Sequence, residues 1–362
     1  MITSVLTLLL GCEPEAAVLE NVTVEELGSF TTDADGLVDV PWTAPEEVVS
    51  TQVFCGPYGY GDNLATADRI DAPSGEIFNY ADEYGTAQRV GTHSDMLPVL
   101  VPVSPKLPAE VGTYTLGMYM AVESLPATVN CSAINRTGEV ADANTINIDL
   151  VFVGVDGIAD GFNATSGEGS DVLQGVLAGL GDLWGGLGYT VGTVRYMDFD
   201  GTVEDYTTIE GEEEFGDLLR TAENGGQVTF FFVQDIDLGD GASILGLAGG
   251  PPGIASVGGT SKSGVVVNVA NVAAAPEQIS LIMAHEGGHF VGLFHPTEKD
   301  GERFDPLDDT AECPADDGEA ATDDCDGKGT DNVMWWSAKT GTSIEFTGDQ
   351  AWVAARNPLA IP

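Results

Sequence analysis

The sequence predicts a β-rich N-terminal domain over residues 26–145, followed by an α+β domain over 146–362 in which helices layer on a twisted mixed sheet. Three observations lead there. Before residue 145, short apolar stretches alternate with turn residues. After it, strand-like runs alternate with segments of helical apolar spacing. With 362 residues and 43% hydrophobic content, the chain can bury a sizeable core, and its length suggests two domains while allowing one large one.

The first eleven residues, "MITSVLTLLLG", are an apolar run too short to span a bilayer, and they stand directly before Cys12. The run resembles a short signal peptide, although no Lys or Arg precedes it. "LLGC" at 9–12 resembles a bacterial lipobox, which implies cleavage of a signal over residues 1–12 and lipidation of Cys12. The alternative is a buried N-terminal strand or helix. On the lipobox reading the chain is exported, to the bacterial cell envelope or the medium, and touches membrane through its lipid alone. No later segment is long and apolar enough to span one. Residues 13–25 are acidic and read as a tether.

The stretches "GLVDVPW", "STQVFCG", "MLPVLVPV" and "TYTLGMYMAV" read as strands of a small sandwich. No chemical constellation occurs among them. His93, in "GTHSDM", is isolated among loop-forming residues and reads as a solvated loop side chain.

From residue 146 the pattern changes. "INIDLVFVGV" is a buried strand, and a Ser170/Asp171 start signal precedes Val172, Leu173, Val176, Leu177, Leu180, Leu183, Trp184 and Leu187 on one helical face. A strand in "YTVGTVRYMDF", a helix around "EEEFGDLLRTA" and a strand in "QVTFFFVQDI" follow. The Gly-, Pro- and Ser-rich stretch 239–264 reads as loop and edge strand, and "GVVVNVA" as a further strand. Pro276 and Glu277 then open a helix carrying "QISLIMAHEGGHF".

With Cys12 set aside for lipid, Cys55, Cys131, Cys313 and Cys325 remain, an even number that suits two disulfides in an oxidising compartment. Three pairings are open. Cys55 with Cys131 and Cys313 with Cys325 keeps each bridge inside one expected domain, and the second would close a loop worth about 3 kcal/mol. No CxxC spacing favours a metal-binding thiol site.

Three of the four histidines fall within "HEGGHFVGLFH" at 285–295. His285 and His289 are four apart, so on a helix both imidazoles project from one face and can share a metal ion. Glu286 stands where its carboxylate reaches a metal-bound water. Gly292 can end the helix and turn the chain so that His295 returns as third ligand. Neutral imidazoles suit zinc, and three protein ligands leave a fourth, catalytic position open. Against the pattern, Gly287 and Gly288 each cost about 1 kcal/mol of helix propensity relative to Ala.

These residues carry a family resemblance. "HEGGHFVGLFH" is similar to the zinc motif of the metzincin metallopeptidases, and Met334 in "DNVMWWS" resembles their Met-turn. "DDTAECPADDG" with Cys313, Cys325 and "DNVM", and then "EFTGDQAWVAARNP" with Thr347 and Gln350, resemble the pappalysin branch. The motifs cover roughly the last eighty residues; the N-terminal third lies outside the resemblance. It implies a metzincin-like α+β catalytic domain with zinc on the active-site helix: His285, His289 and His295 as ligands, Glu286 as general base and acid, Met334 as structural floor. The family commonly has Tyr two residues after the Met, where this chain has Trp336.

The activity this implies is peptide-bond hydrolysis by a secreted or surface-anchored endopeptidase, its protein or peptide substrate aligned on an edge strand within 239–270. The aspartates of "FDPLDDTAECPADDGEAATDDCDG" offer hard oxygen ligands for calcium, without EF-hand spacing. A formal charge of -46 excludes nucleic acid as a partner and suits a solvated surface in salty or extracellular surroundings; a cationic substrate is the sharper alternative. The competing class is a silent or latent surface-binding lipoprotein that keeps the fold, latency being one role for a Cys55 thiolate capping the metal.

Overall fold

The computed structural model describes residues 21–158, 161–223, 226–239, 244–270, 275–315, 324–337 and 344–362, with Leu19 and Ala320. The signal segment, its Cys12, and 13–18 and 20 of the expected tether lie outside the described residues.

Two antiparallel sheets form the N-terminal half. One contains β1 (Val22–Thr31), β3 (Val48–Gly56), β7 (Leu97–Val101) and β9 (Thr128–Thr137) in the order β1-β9-β3-β7. The other contains β2 (Leu37–Ala44), β4 (Leu64–Ala72), β5 (Gly75–Asn79) and β8 (Gly112–Ala121) in the order β2-β8-β4-β5, with the two-residue β6 (His93–Ser94) on β4. Their inner faces share one core, including Val40, Trp42, Val53, Leu97, Tyr114 and Leu116. The buried Trp42 indole donates across the sandwich to Thr51 Oγ1 at 2.9 Å. Cys55 and Cys131 face each other in register on β3 and β9 and form a disulfide.

The tether is shorter than the acidic composition suggests. Val22 to Glu25 pair with Arg136 to Ala133 of β9, because backbone pairing needs only extended chain and leaves the acidic side chains outward. His93 is likewise no solvated loop residue: β6 pairs with Leu64 and Ala65, and the ring is enclosed with its Nε2 buried and unpartnered.

The second half is built on a five-stranded sheet of β10 (Asn144–Phe152), β11 (Tyr189–Asp198), β13 (Gln227–Val233), β15 (Gly246–Ala248) and β16 (Val265–Asn268), ordered β11-β10-β13-β16-β15. All its pairs are parallel except β15, which runs antiparallel along β16 as the edge. β10 begins at Asn144, so a cut between 145 and 146 would sever its first two residues. α1 (Asp171–Trp184) and α3 (Pro276–Phe290) pack one face through Leu173, Leu180, Ile279 and Met283 against Leu150 and Phe230. α2 (Glu212–Leu219) covers the other face through Leu218 and Leu219, against Val151, Phe231 and Val266. The alternation of Val151 and Phe231 against Leu150 and Phe230 is the two-residue period of a strand buried on both sides. β12 (Thr208–Ile209) and β14 (Asp235–Ile236) form a small parallel ribbon, and α4 (Gly348–Ala354) closes the chain behind a Thr347/Gln350 capping box.

The halves are joined by buried polar contacts. Gln52 donates to the Gly253 carbonyl at 2.6 Å and accepts from the Ala255 N–H; Arg136 binds the carbonyls of Ala355 and Asn357; Arg89 reaches the Phe304 carbonyl at 3.1 Å. Among the described residues no helix is long and apolar enough to cross a membrane.

Candidate metal centre

α3 supplies two imidazoles. Its two inner glycines, costly for an isolated helix, are explained by what approaches them. A Cβ on Gly287 would lie 2.5 Å from Trp184 Cζ2, and one on Gly288 would lie 2.4 Å from Met334 Sδ. The helix backbone is thus pressed onto α1 on one side and onto the turn carrying Met334 on the other. After Phe290, Gly292 adopts φ of 104°; its N–H bonds the His289 carbonyl, and the Leu293 N–H bonds that of Gly288.

That reversal returns His295 to the helix. Its Nε2 stands 3.0 Å from His289 Nε2 and 3.3 Å from His285 Nε2. The opposite nitrogen of each ring is anchored: His285 Nδ1 on the Val333 carbonyl at 2.7 Å, His289 Nδ1 on the Leu293 carbonyl at 2.8 Å, His295 Nδ1 on Glu298 Oε2 at 2.9 Å. Carbonyls and an ionised carboxylate only accept, so each Nδ1 holds the proton and each Nε2 presents a lone pair. Three lone pairs converging without a proton between them repel, and a cation is what relieves that repulsion. Burial and the neighbouring rings hold His285 down at about 3 and His289 well below its ordinary value, which keeps both neutral as ligands must be. The donor set therefore fits zinc. Among the described residues, this triad is the one group of three or more His, Cys, Asp or Glu side chains close enough to share a metal. In the acidic stretch expected to offer calcium ligands, no three described acidic residues converge in this way, and 316–319 and 321–323 of it lie outside the described residues.

Met334, fully buried, sits in a turn below the rings. Asn332 Oδ1 accepts the Met334 N–H at 2.8 Å, and the Asn332 and Gln350 amides bond each other at 2.9 and 3.0 Å. The turn that brings Met334 to Gly288 is thus the turn whose Val333 carbonyl orients His285. Trp336 donates to the Ala320 carbonyl at 3.0 Å, and Lys299 Nζ lies 5.8 Å from its ring centre.

Glu286 lies beside the edge strand, densely surrounded yet partly reached by solvent. A Cβ on Gly246 would come 2.6 Å from its Cγ. Burial pushes its carboxyl up to about 8, opposed by a hydrogen bond from the Ala248 backbone. A cleft of about 320 Å³ opens here, lined by Leu245, Gly246, Ile282, His285, Glu286 and Trp336 among others.

The structure therefore gathers His285, Glu286, His289, His295 and Met334 at one place. It keeps Cys55 and Cys131 apart from it, bonded to each other, so no Cys55 thiolate is available to cap a metal. Cys313 and Cys325 are also bonded, and pack with Trp335. Three orienting groups escape the sequence reading: Val333, Leu293 and Glu298. For Glu298 a signal existed, an acid three residues beyond a ligand in "HPTE".

No family model matches the chain, and no curated protein matches it. Among solved structures it is similar to archaemetzincin from Methanopyrus kandleri, with 16% identity over 60% of this chain and 97% of that one, at a TM-score of 0.36. It is also similar to metalloproteinase-II from Bacteroides fragilis, with 12% identity over 47% of this chain and 55% of that one, at 0.28. A periplasmic inhibitor of g-type lysozyme from Aeromonas hydrophila matches at 19% identity over 33% of this chain and 87% of that one, at 0.18. With TM-scores this low, the functional case rests on the chain's own residues.

Proposed function

We propose that the chain is an exported zinc-dependent endopeptidase of the metzincin type, of the pappalysin branch. The observation that carries this reading is the convergence of three Nε2 lone pairs one residue from Glu286, in a cleft beside a free sheet edge. His285, His289 and His295 would hold the zinc, which when bound supplies Lewis acidity toward water and the scissile carbonyl. Glu286, ionised more readily once a cation stands beside it, takes the proton of the attacking water on a carboxylate oxygen and delivers it to the leaving amine.

β15 orients the substrate. Leu245 and Gly249 spend their backbone bonds on Asn268 and Gly264, so by antiparallel alternation Gly246 and Ala248 turn their backbone groups to an edge that is unpaired among the described residues, the Ala248 N–H there being held by Glu286. An extended peptide can pair there next to Glu286. Two disulfides suit an oxidising compartment, in line with export; the lipid anchor at Cys12 is proposed from the sequence alone. In this reading the N-terminal sandwich, residues 26–145, is a rigid support for the domain over 146–362.

The test is cleavage of a mixed peptide library by the purified chain, beside a zinc-chelated sample and Glu286→Ala. Cleavage by the untreated chain alone supports the reading; cleavage by Glu286→Ala refutes the role given to Glu286.

A further inference from the structure

A second cavity, of about 170 Å³, lies on the α2 side of the same edge strand, lined by Tyr60, Ser94, Phe215, Leu247 and Lys262 among others. Lys262 is only 8% exposed. Three cations are buried among the described residues, and two of them, Arg89 and Arg136, bond backbone carbonyls, Arg136 through Nη1 with its Nη2 left without a hydrogen bond. The Lys262 ammonium makes no ion pair or hydrogen bond among the described residues. Its nearby acids are otherwise engaged. Asp95 is committed to Arg220 and to the Ser261 hydroxyl at 2.6 Å, and Glu212, which also lines the cavity, is exposed to solvent. His93, also lining the cavity, is held neutral by burial. A buried cation is costly, and burial, only partly offset by the charges of Asp95 and Glu212, pulls Lys262 down to about 8.

Strand geometry links this cavity to the cleft. On β15, Gly246 faces Glu286 and Ala248 packs with the α3 core, while Leu247 between them packs with the α2 core and lines the second cavity. A peptide added to this edge presents its side chains alternately to the same two faces.

We propose that this cavity selects an acidic side chain of the substrate: a glutamate or aspartate on the strand face opposite the zinc site inserts there and pairs with Lys262. This rests on the peptidase reading for its meaning, and adds an acidic peptide as the substrate class. It also gives a chain of net charge -46 an interior cation for a partner its surface would repel.

The test uses the full chain carrying Glu286→Gln, so that nothing is cleaved, and end-capped fluorescent peptides differing by Glu or Gln at one position. At one position the Glu peptide should bind about ten-fold more tightly, as expected for pairing a buried charge. Lys262→Met should level the two, and Lys262→Arg should restore part of the difference. The comparison of the two peptides needs no substitution at Lys262, so it stands even where Lys262→Met fails to fold. Equal binding of Glu and Gln peptides at every position overturns the pocket. Library cleavage by the unsubstituted chain separates the two claims. Cleavage without acid preference overturns the pocket and leaves the peptidase; acid-selective binding without cleavage upholds the pocket and removes the peptidase.

Discussion

Replacing Glu298 by Ala tests how the third ligand is held. His295 follows the helix on a loop, and its Nδ1 is bound at 2.9 Å by a side chain, whereas His285 and His289 are fixed by backbone carbonyls. Loss of such an orienting partner typically weakens metal binding 10- to 100-fold, about 1.4–2.8 kcal/mol. The Glu298 side chain is 31% exposed, so water can replace part of the bond, and the lower end applies: about ten-fold, ~1.4 kcal/mol. The Glu298 N–H still bonds the Arg303 carbonyl and its carbonyl the Gly301 N–H, so the turn survives the change. Glu298→Gln keeps an acceptor without charge and should lose about three-fold, roughly half the energy. Competition against a chromophoric zinc chelator reads both affinities, and the Tm of the zinc-free chain controls for the fold. An unchanged affinity in Glu298→Ala, with unchanged zinc-free Tm, would refute the claim that this carboxylate orients His295.

Gly288→Ala gains about 1 kcal/mol of helix propensity but drives a methyl against Met334 Sδ, at a cost of about 1–3 kcal/mol, so a net loss of about 1 kcal/mol is expected in chemical denaturation. A stabilised variant would show that the Met334 contact yields freely. Gly246→Ala should leave zinc affinity intact and lower peptide cleavage at least ten-fold, because its Cβ meets Glu286 Cγ and not the imidazoles; wild-type activity would contradict the position given to Glu286. Burial raises Asp305 from 3.8 to about 7, against bonds from Thr310 and the Leu307 N–H. A carboxyl raised in the folded state stabilises fully below its unfolded value, and that contribution is lost as pH rises through about 7. The Tm of the native chain minus that of Asp305→Asn should therefore fall between pH 4 and 7; a flat difference would show that Asp305 titrates normally.

The helix, its ligands and the returning loop were legible because each depends on near neighbours. Four-residue spacing sets two imidazoles on one face, and Gly292 turns the chain within three residues of His295. The edge strand could be expected within 239–270 but not fixed at Gly246–Ala248, since Gly- and Pro-rich chain has little periodicity. The Val333 carbonyl on His285 was illegible, because a backbone acceptor 48 residues away carries no side-chain signature. The same holds for the sandwich order β1-β9-β3-β7, which joins strands far apart in sequence. His93 and Lys262 were misread or passed over because each looks isolated, and only tertiary packing brings His93, Lys262 and Leu247 to one cavity. The tether ends sooner than acidic composition implies because the Val22/Val24 alternation already belongs to a strand.

The central claim is that three imidazole Nε2 atoms hold one zinc ion. X-ray absorption at the zinc edge, on the full chain loaded with one equivalent of metal, tests it most directly. The account predicts three nitrogen ligands at about 2.0–2.1 Å with imidazole scattering, and their loss in a His295→Ala variant. Zinc surrounded by carboxylate oxygens, or an unchanged spectrum in that variant, would contradict it.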